Sequence, residues 1–180
     1  NREKAEKILG NSLTLLLIAA VALTVGFSVF KEPILYAFGA SENTIGYAMD
    51  YIGIYLIGTI FVQLALGLNT FISAQGKALV AMLSVLIGAV LNICLDPVFI
   101  FGLHMGVKGA ALATILSQAV SAAWVVGFLC SRRSGLRIRK QNMRLEPKVV
   151  GRVAGLGVAP FIMQSTESLV TVVLNTGMQT

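Results

Sequence analysis

The chain has 180 residues, a formal net charge of +6, 56% hydrophobic residues and only 12% charged ones, against about 25% charged in an ordinary soluble domain. A water-soluble core of this size could not hide that much apolar surface, so the composition excludes a conventional soluble enzyme or binding domain. The charges are also clustered, leaving residues 11–30, 51–76, 78–95 and 109–131 with none.

Crossing a hydrocarbon core of about 30 Å takes about 20 residues of helix, because every backbone N–H and C=O must be bonded internally where water is absent. In chain order the predicted spans are residues 11–30 (A), 51–73 (B), 78–101 (C) and 109–130 (D). A shorter fifth span, 157–175 (E), carries Glu167. No β-barrel alternation appears, so the expected fold class is an all-α polytopic transmembrane bundle. Span A is full length and its basic flank is mixed with Glu3 and Glu6, so no cleavable leader is expected. With no initiating Met and an end soon after span E, both termini read as cuts through a larger protein.

Between A and B, Pro33 is expected to stop the first helix, and Ser41-Glu42-Asn43-Thr44 is a capping pattern that starts a new one, continuous with span B. Threading the five spans alternately puts every Lys and Arg except Lys31 and Lys108 on one side. The positive-inside rule makes that side cytoplasmic, including the N-terminal segment and the basic loop 131–152. The charge is thereby explained by topology and anionic lipid headgroups, with no nucleic acid required. Cys94 and Cys130 lack metal or redox spacing and read as reduced packing residues.

Span C holds the most informative pattern. Ser84, Gly88, Asn92 and Asp96 recur every four residues and so share one helix face. An aspartate near a membrane helix centre costs about 2.5–3.5 kcal/mol to insert, so it faces a bundle interior or wet cavity and marks an ion or proton path. The plainer reading is a structural hydrogen-bond acceptor. Pro97 removes the backbone bond to the Ile93 carbonyl and makes a hinge at that point.

On span D, Thr114, Ser117, Gln118 and Ser121 form a second polar stripe, with alanines that permit close helix contact. Asp96 lies six residues before Gly102 and Thr114 five after Gly109, which puts both about 8–9 Å inside the same boundary. Asp96, Asn92 and Thr114 are therefore expected to meet around a small cation or a proton, the alternative being helix–helix glue. Gln63 and Asn69 on span B are further cavity or substrate candidates, Asn69 lying nearer the cytoplasm. On span E, Gln164, Glu167, Thr171 and Asn175 share a face. No P-loop, zinc-ligand cluster, nucleophile elbow or dinucleotide fingerprint is present, so no enzyme activity and no bound cofactor are expected; His104 and Trp124 read as an outer turn and a packing or lipid contact.

Three stretches carry a specific resemblance: Leu66-Gly67-Leu68-Asn69-Thr70 through Gly76, Leu91-Asn92-Ile93-Cys94-Leu95-Asp96-Pro97 through Gly102, and Gly106-Val107-Lys108-Gly109-Ala110-Ala111 through Thr114. Together with Gly157-Val158-Ala159-Pro160, they resemble the multidrug and toxic compound extrusion (MATE) family of cation-coupled efflux transporters. The resemblance implies that 1–130 is most of an N-terminal lobe, holding the third to sixth of the family's helices. It makes 131–152 the cytoplasmic inter-lobe loop and 153–180 the opening of the seventh helix. It also implies that Asn92, Asp96 and Thr114 belong to a coupling site for sodium or protons, completed by a first-helix aspartate that this chain lacks. Some members carry an acid near Glu167, with the register after Pro160 offset by one position. The implied partners are membrane lipid, amphipathic or cationic drugs and the remainder of the same chain; a lipid-linked sugar flippase of the same superfamily and a non-transporting structural subunit are the rival readings.

Overall fold

The first helix, α1 (Arg2–Ala37), is 36 residues long in the computed structural model, which describes residues 2–177. At about 54 Å it outruns the hydrocarbon core, so its charged first turns project beyond the apolar zone. Pro33 lies inside this helix and does not stop it. So close to the helix end, a proline ring forfeits one bond, to the carbonyl four residues back, and the flanking turns hold. The chain turns instead at Gly39, whose φ of 94° suits glycine.

As the capping pattern indicated, a new helix follows: α2 (Ile45–Ile57) starts behind Thr44, whose hydroxyl is bonded to Ser41. The expected continuous span over 51–73 is replaced by two helices, α2 and α3 (Thr59–Ala74), bent 56° apart. Gly58 sits at the break, and a Cβ there would lie 2.4 Å from the Ile115 side chain. A larger residue would have to displace Ile115, so the close packing at the bend depends on this glycine.

Next come α4 (Ala78–Pro97) and a single π-helical turn, Val98–Gly102, closed by the bond from Leu103 N–H to the Val98 carbonyl at 2.9 Å. Helix α5 (Val107–Cys130) then returns through the bundle. Gly109 presses on the π turn so tightly that a Cβ would meet the Phe99 backbone at 2.8 Å. This contact sets the height of α5 against α4. The last helix, α6 (Pro147–Gly177), begins ahead of the expected 157 and takes Lys148 and Arg152 out of the basic loop. Pro147 is well suited to a first helical turn, where its missing N–H costs nothing.

Helix α5 packs against α2, α3 and α4, α1 against α2 and α3, and among the described residues α6 touches α1 alone of the helices. Leu9, Leu13, Leu68, Ile72, Ala81, Val125 and Leu129 form the buried core at one end. Elsewhere large apolar side chains face outward, among them Val29, Ile93, Phe101 and Phe161. Among the described residues four helices are long and apolar enough to cross a membrane, and the bent α2–α3 pair passes as a fifth. The protein is an all-α, multi-pass membrane bundle.

The core end is also where the segment between α5 and α6 folds back. Asn11, 1% exposed, donates to the Lys7 and Asn142 carbonyls and accepts the Glu146 N–H at 2.8 Å. Thr14 donates to the Met143 carbonyl, and Gln75 accepts from Ser134 and from the Leu136 N–H. Glu6, 5% exposed, is gripped by Arg2 at 3.3 Å and Arg139 at 3.2 Å. The basic segment is therefore a docked strap across the bundle end and not a solvated loop.

Candidate cation site

The four-residue spacing on α4 and the three-and-four spacing on α5 turn two polar stripes toward each other. Where they cross most closely, Gly88 faces Ser121, and a Cβ at Gly88 would lie 2.3 Å from the Ser121 hydroxyl oxygen. Ser121 donates to the Ser84 carbonyl at 2.8 Å, an interhelical bond between two buried residues. This small-residue contact brings the α4 and α5 backbones together and aligns the polar side chains above it.

One and two turns further along α4, Asn92 and Asp96 are half-buried. The Asn92 amide nitrogen lies 3.2 Å from one Asp96 carboxylate oxygen and 3.5 Å from the Thr114 hydroxyl. Thr114 donates its own proton to the Ala110 carbonyl at 2.9 Å, so its oxygen presents lone pairs to the group. Asn92 thus bridges the carboxylate and the hydroxyl, and the three residues anticipated to meet do meet. No Lys or Arg pairs with Asp96 among the described residues. The Asp96 carboxylate and the Thr114 hydroxyl are hard oxygen donors, one of them charged, which suits a proton or an alkali cation better than a soft metal; the Asn92 NH2 group, not its oxygen, faces both.

Below the trio a cavity of about 170 Å³ runs between α4 and α5 and is closed by α3; Asn92, Thr114 and Gln118 line it together with Ser84, Ser117 and Ser121. Gln118, a candidate cavity or substrate residue by its place on the α5 stripe, is among the cavity walls. Asn69 is not among its walls: its amide donates to the Ala81 carbonyl and its oxygen accepts from Ser84, each at 3.2 Å, so it ties α3 to α4 about 18 Å along the helix from Asp96. Gln63, half-buried on α3, does not line the cavity either.

Helix α6 holds Gln164 and Glu167, which bond to each other at 3.0 Å on an exposed face. Because α6 reaches only α1, these two side chains stand apart from Asp96; the Asn175 side chain lies outside the described residues. Pro97 sits at helical angles (φ −62°, ψ −36°), and the π turn begins one residue beyond it. The sharp break within a span is at Gly58, not at this proline.

The family model MatE matches residues 1–98. The chain belongs to the MatE family. The curated relatives it resembles include "Multidrug export protein MepA" of Staphylococcus haemolyticus (strain JCSC1435), 31% identical over 160 residues, which are 89% of this chain and 34% of that protein. The chain thus spans about a third of the length of the curated relatives it matches. Among solved structures, a chain described as "protein A" has a TM-score of 0.90 at 36% identity, covering 97% of this chain and 39% of that one. An "outward-facing conformation of a multidrug resistance MATE family transporter of the MOP superfamily" has a TM-score of 0.86 at 28% identity, covering 93% and 38%.

Sequence reading did not find Glu6, Asn11 and Gln75. Their partners in the strap, the Arg139 and Ser134 side chains and backbone groups of Leu136, Asn142 and Glu146, lie more than 50 residues away, which no spacing rule exposes.

Proposed function

We propose that the full-length protein carrying this chain is a secondary multidrug antiporter of the cytoplasmic membrane. In this reading, Asp96 alternately holds and releases a sodium ion or a proton, with Thr114 adding a second oxygen and the Asn92 side chain turning its amide oxygen toward a bound cation. The observation that carries it is the Asn92 amide bridging Asp96 and Thr114. A carboxylate that costs about 2.5–3.5 kcal/mol to insert is accounted for when its charge is compensated by a mobile cation. The relative named as a multidrug export protein supports drugs as the exported class, and the family resemblance implies amphipathic or cationic ones.

The end that carries the strap holds every Lys and Arg except Lys31 and Lys108, which favours a cytoplasmic location for it and for the N-terminal segment. Pro97 and the π turn serve as a hinge beside the ion site, and Gln118, one turn beyond Thr114, lines the cavity that opens from that site. Gln164 and Glu167 would contribute once further helices cover the exposed face of α6. No covalent chemistry is involved.

The test is ion binding to the purified full-length protein, followed with radioactive sodium and with a pH indicator for proton release. We expect a single ion of one kind per chain, lost in Asp96→Asn. Retention of that ion by Asp96→Asn refutes the reading. Scrambling of a lipid-linked sugar without any ion binding would favour a flippase.

A further inference from the structure

On the opposite side of the α4–α5 contact from α3, a second groove opens where α4 starts and α5 ends. It is about 760 Å³, with Val80, Trp124 and Phe128 as its apolar body and Lys77, Arg132 and Arg133 at its mouth. No Asp or Glu lines it. Neither Lys77 nor the two arginines takes part in an ion pair among the described residues. The result is an apolar slot crowned by uncompensated positive charge.

The mouth is locally built. Lys77 holds its ammonium 5.1 Å above the Phe128 ring and donates to the Arg133 carbonyl, leaving donor capacity free for an outside acceptor. Ser131 donates to the Phe128 carbonyl at 2.8 Å and accepts the Arg133 N–H at 3.2 Å. Ser134, 3% exposed, is anchored to Gln75 just beyond. The backbone that carries Arg132 and Arg133 is therefore fixed while their guanidinium groups stay exposed.

Depth identifies the occupant. The cations lie at the helix ends, and Trp124, 42% exposed, lies about 9 Å further in, where tryptophan favours the headgroup-to-acyl boundary. A ligand that fits must put a phosphate at the membrane surface and a hydrocarbon chain directly beneath it. Nucleic acids and soluble anions lack the chain, and a peptide would bring backbone groups that this slot cannot bond. We propose that this groove is a site for one anionic phospholipid, its phosphate on Arg132 and Arg133 and an acyl chain against Trp124, Val80 and Phe128.

The test uses the purified full-length protein, native mass spectrometry and an equimolar mixture of phosphatidylglycerol and phosphatidylcholine. Wild type should retain phosphatidylglycerol preferentially, and Arg132→Gln/Arg133→Gln should lower that retention roughly tenfold or more, since each basic side chain near the surface contributes appreciably. Arg144→Gln/Lys148→Gln, an equal change in charge on exposed residues at the same end, should leave it within about twofold. Gly127→Leu, at a position where a Cβ has open space, should block the slot without altering charge and also lower retention. Equal loss in the two charge variants, wild-type retention in Gly127→Leu, or no preference between the lipids would each overturn the proposal.

Discussion

Asn92 and Thr114 lie on antiparallel helices, 22 residues apart in sequence, yet the Asn92 amide nitrogen comes within 3.5 Å of the Thr114 hydroxyl. The same amide reaches Asp96 at 3.2 Å, so Asn92 fixes where the carboxylate points. Replacing it with alanine keeps the charge and removes the bridge. For Asn92→Ala we expect ion binding to weaken about tenfold to a hundredfold, the value of one lost bond to a charged group. Thr114→Ser should be near neutral and Thr114→Val should resemble Asn92→Ala. Equal affinities across the three variants, measured by equilibrium ion binding, would show that the trio is only helix–helix glue.

Two glycine contacts hold α4 and α5 at this spacing, and they should respond differently to a methyl group. At Gly109 the obstacle is the Phe99 backbone, which cannot step aside. At Gly88 it is the Ser121 hydroxyl, while the Ser121 Cβ lies at 3.6 Å, an ordinary contact distance. Each alanine substitution should cost about 1–3 kcal/mol of unfolding stability in detergent, Gly109→Ala more than Gly88→Ala. Adding Ser121→Ala should recover part of the Gly88→Ala loss, a non-additivity readable in a double-mutant cycle. Failure of that rescue would mean that Gly88 matters for another reason.

The strap predicts a separate defect. Asn11 satisfies groups on both sides of Asn142–Glu146, and a Cβ at Gly10 would lie 2.3 Å from the Asn142 carbonyl oxygen. Asn11→Ala should lose about 1–3 kcal/mol, and Gly10→Ala should lift the strap off α1. Limited proteolysis between 139 and 146 should accelerate in both variants while ion affinity at Asp96 changes little. Unchanged cleavage would indicate that the strap is held from elsewhere.

Pro97→Ala restores a backbone donor that can bond the Ile93 carbonyl and so stiffens the junction with the π turn. We expect a gain of up to about 1 kcal/mol in stability together with slower turnover and little change in ion affinity. Faster or equal turnover would remove Pro97 as a hinge.

Sequence reached the trio because its constraints are local and periodic: four-residue spacing puts Asn92 below Asp96, and counting residues from the helix ends sets Thr114 at the same depth. The membrane class was equally legible, since charge-free runs leave few alternatives. What sequence misjudged was backbone continuity. Pro33 near a helix end costs too little to stop α1, whereas the chain bends 56° at Gly58 inside an unbroken apolar run that hydropathy cannot register. Asn69 read as a cavity residue because nothing in its spacing reveals that Ser84 and the Ala81 carbonyl occupy its amide. The strap was hidden for the same reason, since Asn11 and Thr14 hold it through the carbonyls of residues 142 and 143 and the N–H of residue 146.

The most direct measurement is drug efflux by the full-length protein in proteoliposomes, driven by an imposed sodium or proton gradient, with wild type and Asp96→Asn at matched insertion. If Asp96 holds the coupling ion, one gradient drives ethidium out in wild type and neither does in Asp96→Asn, although that variant folds and still binds ethidium. Gradient-driven efflux by Asp96→Asn at the wild-type rate would contradict the assignment and leave the carboxylate a structural role.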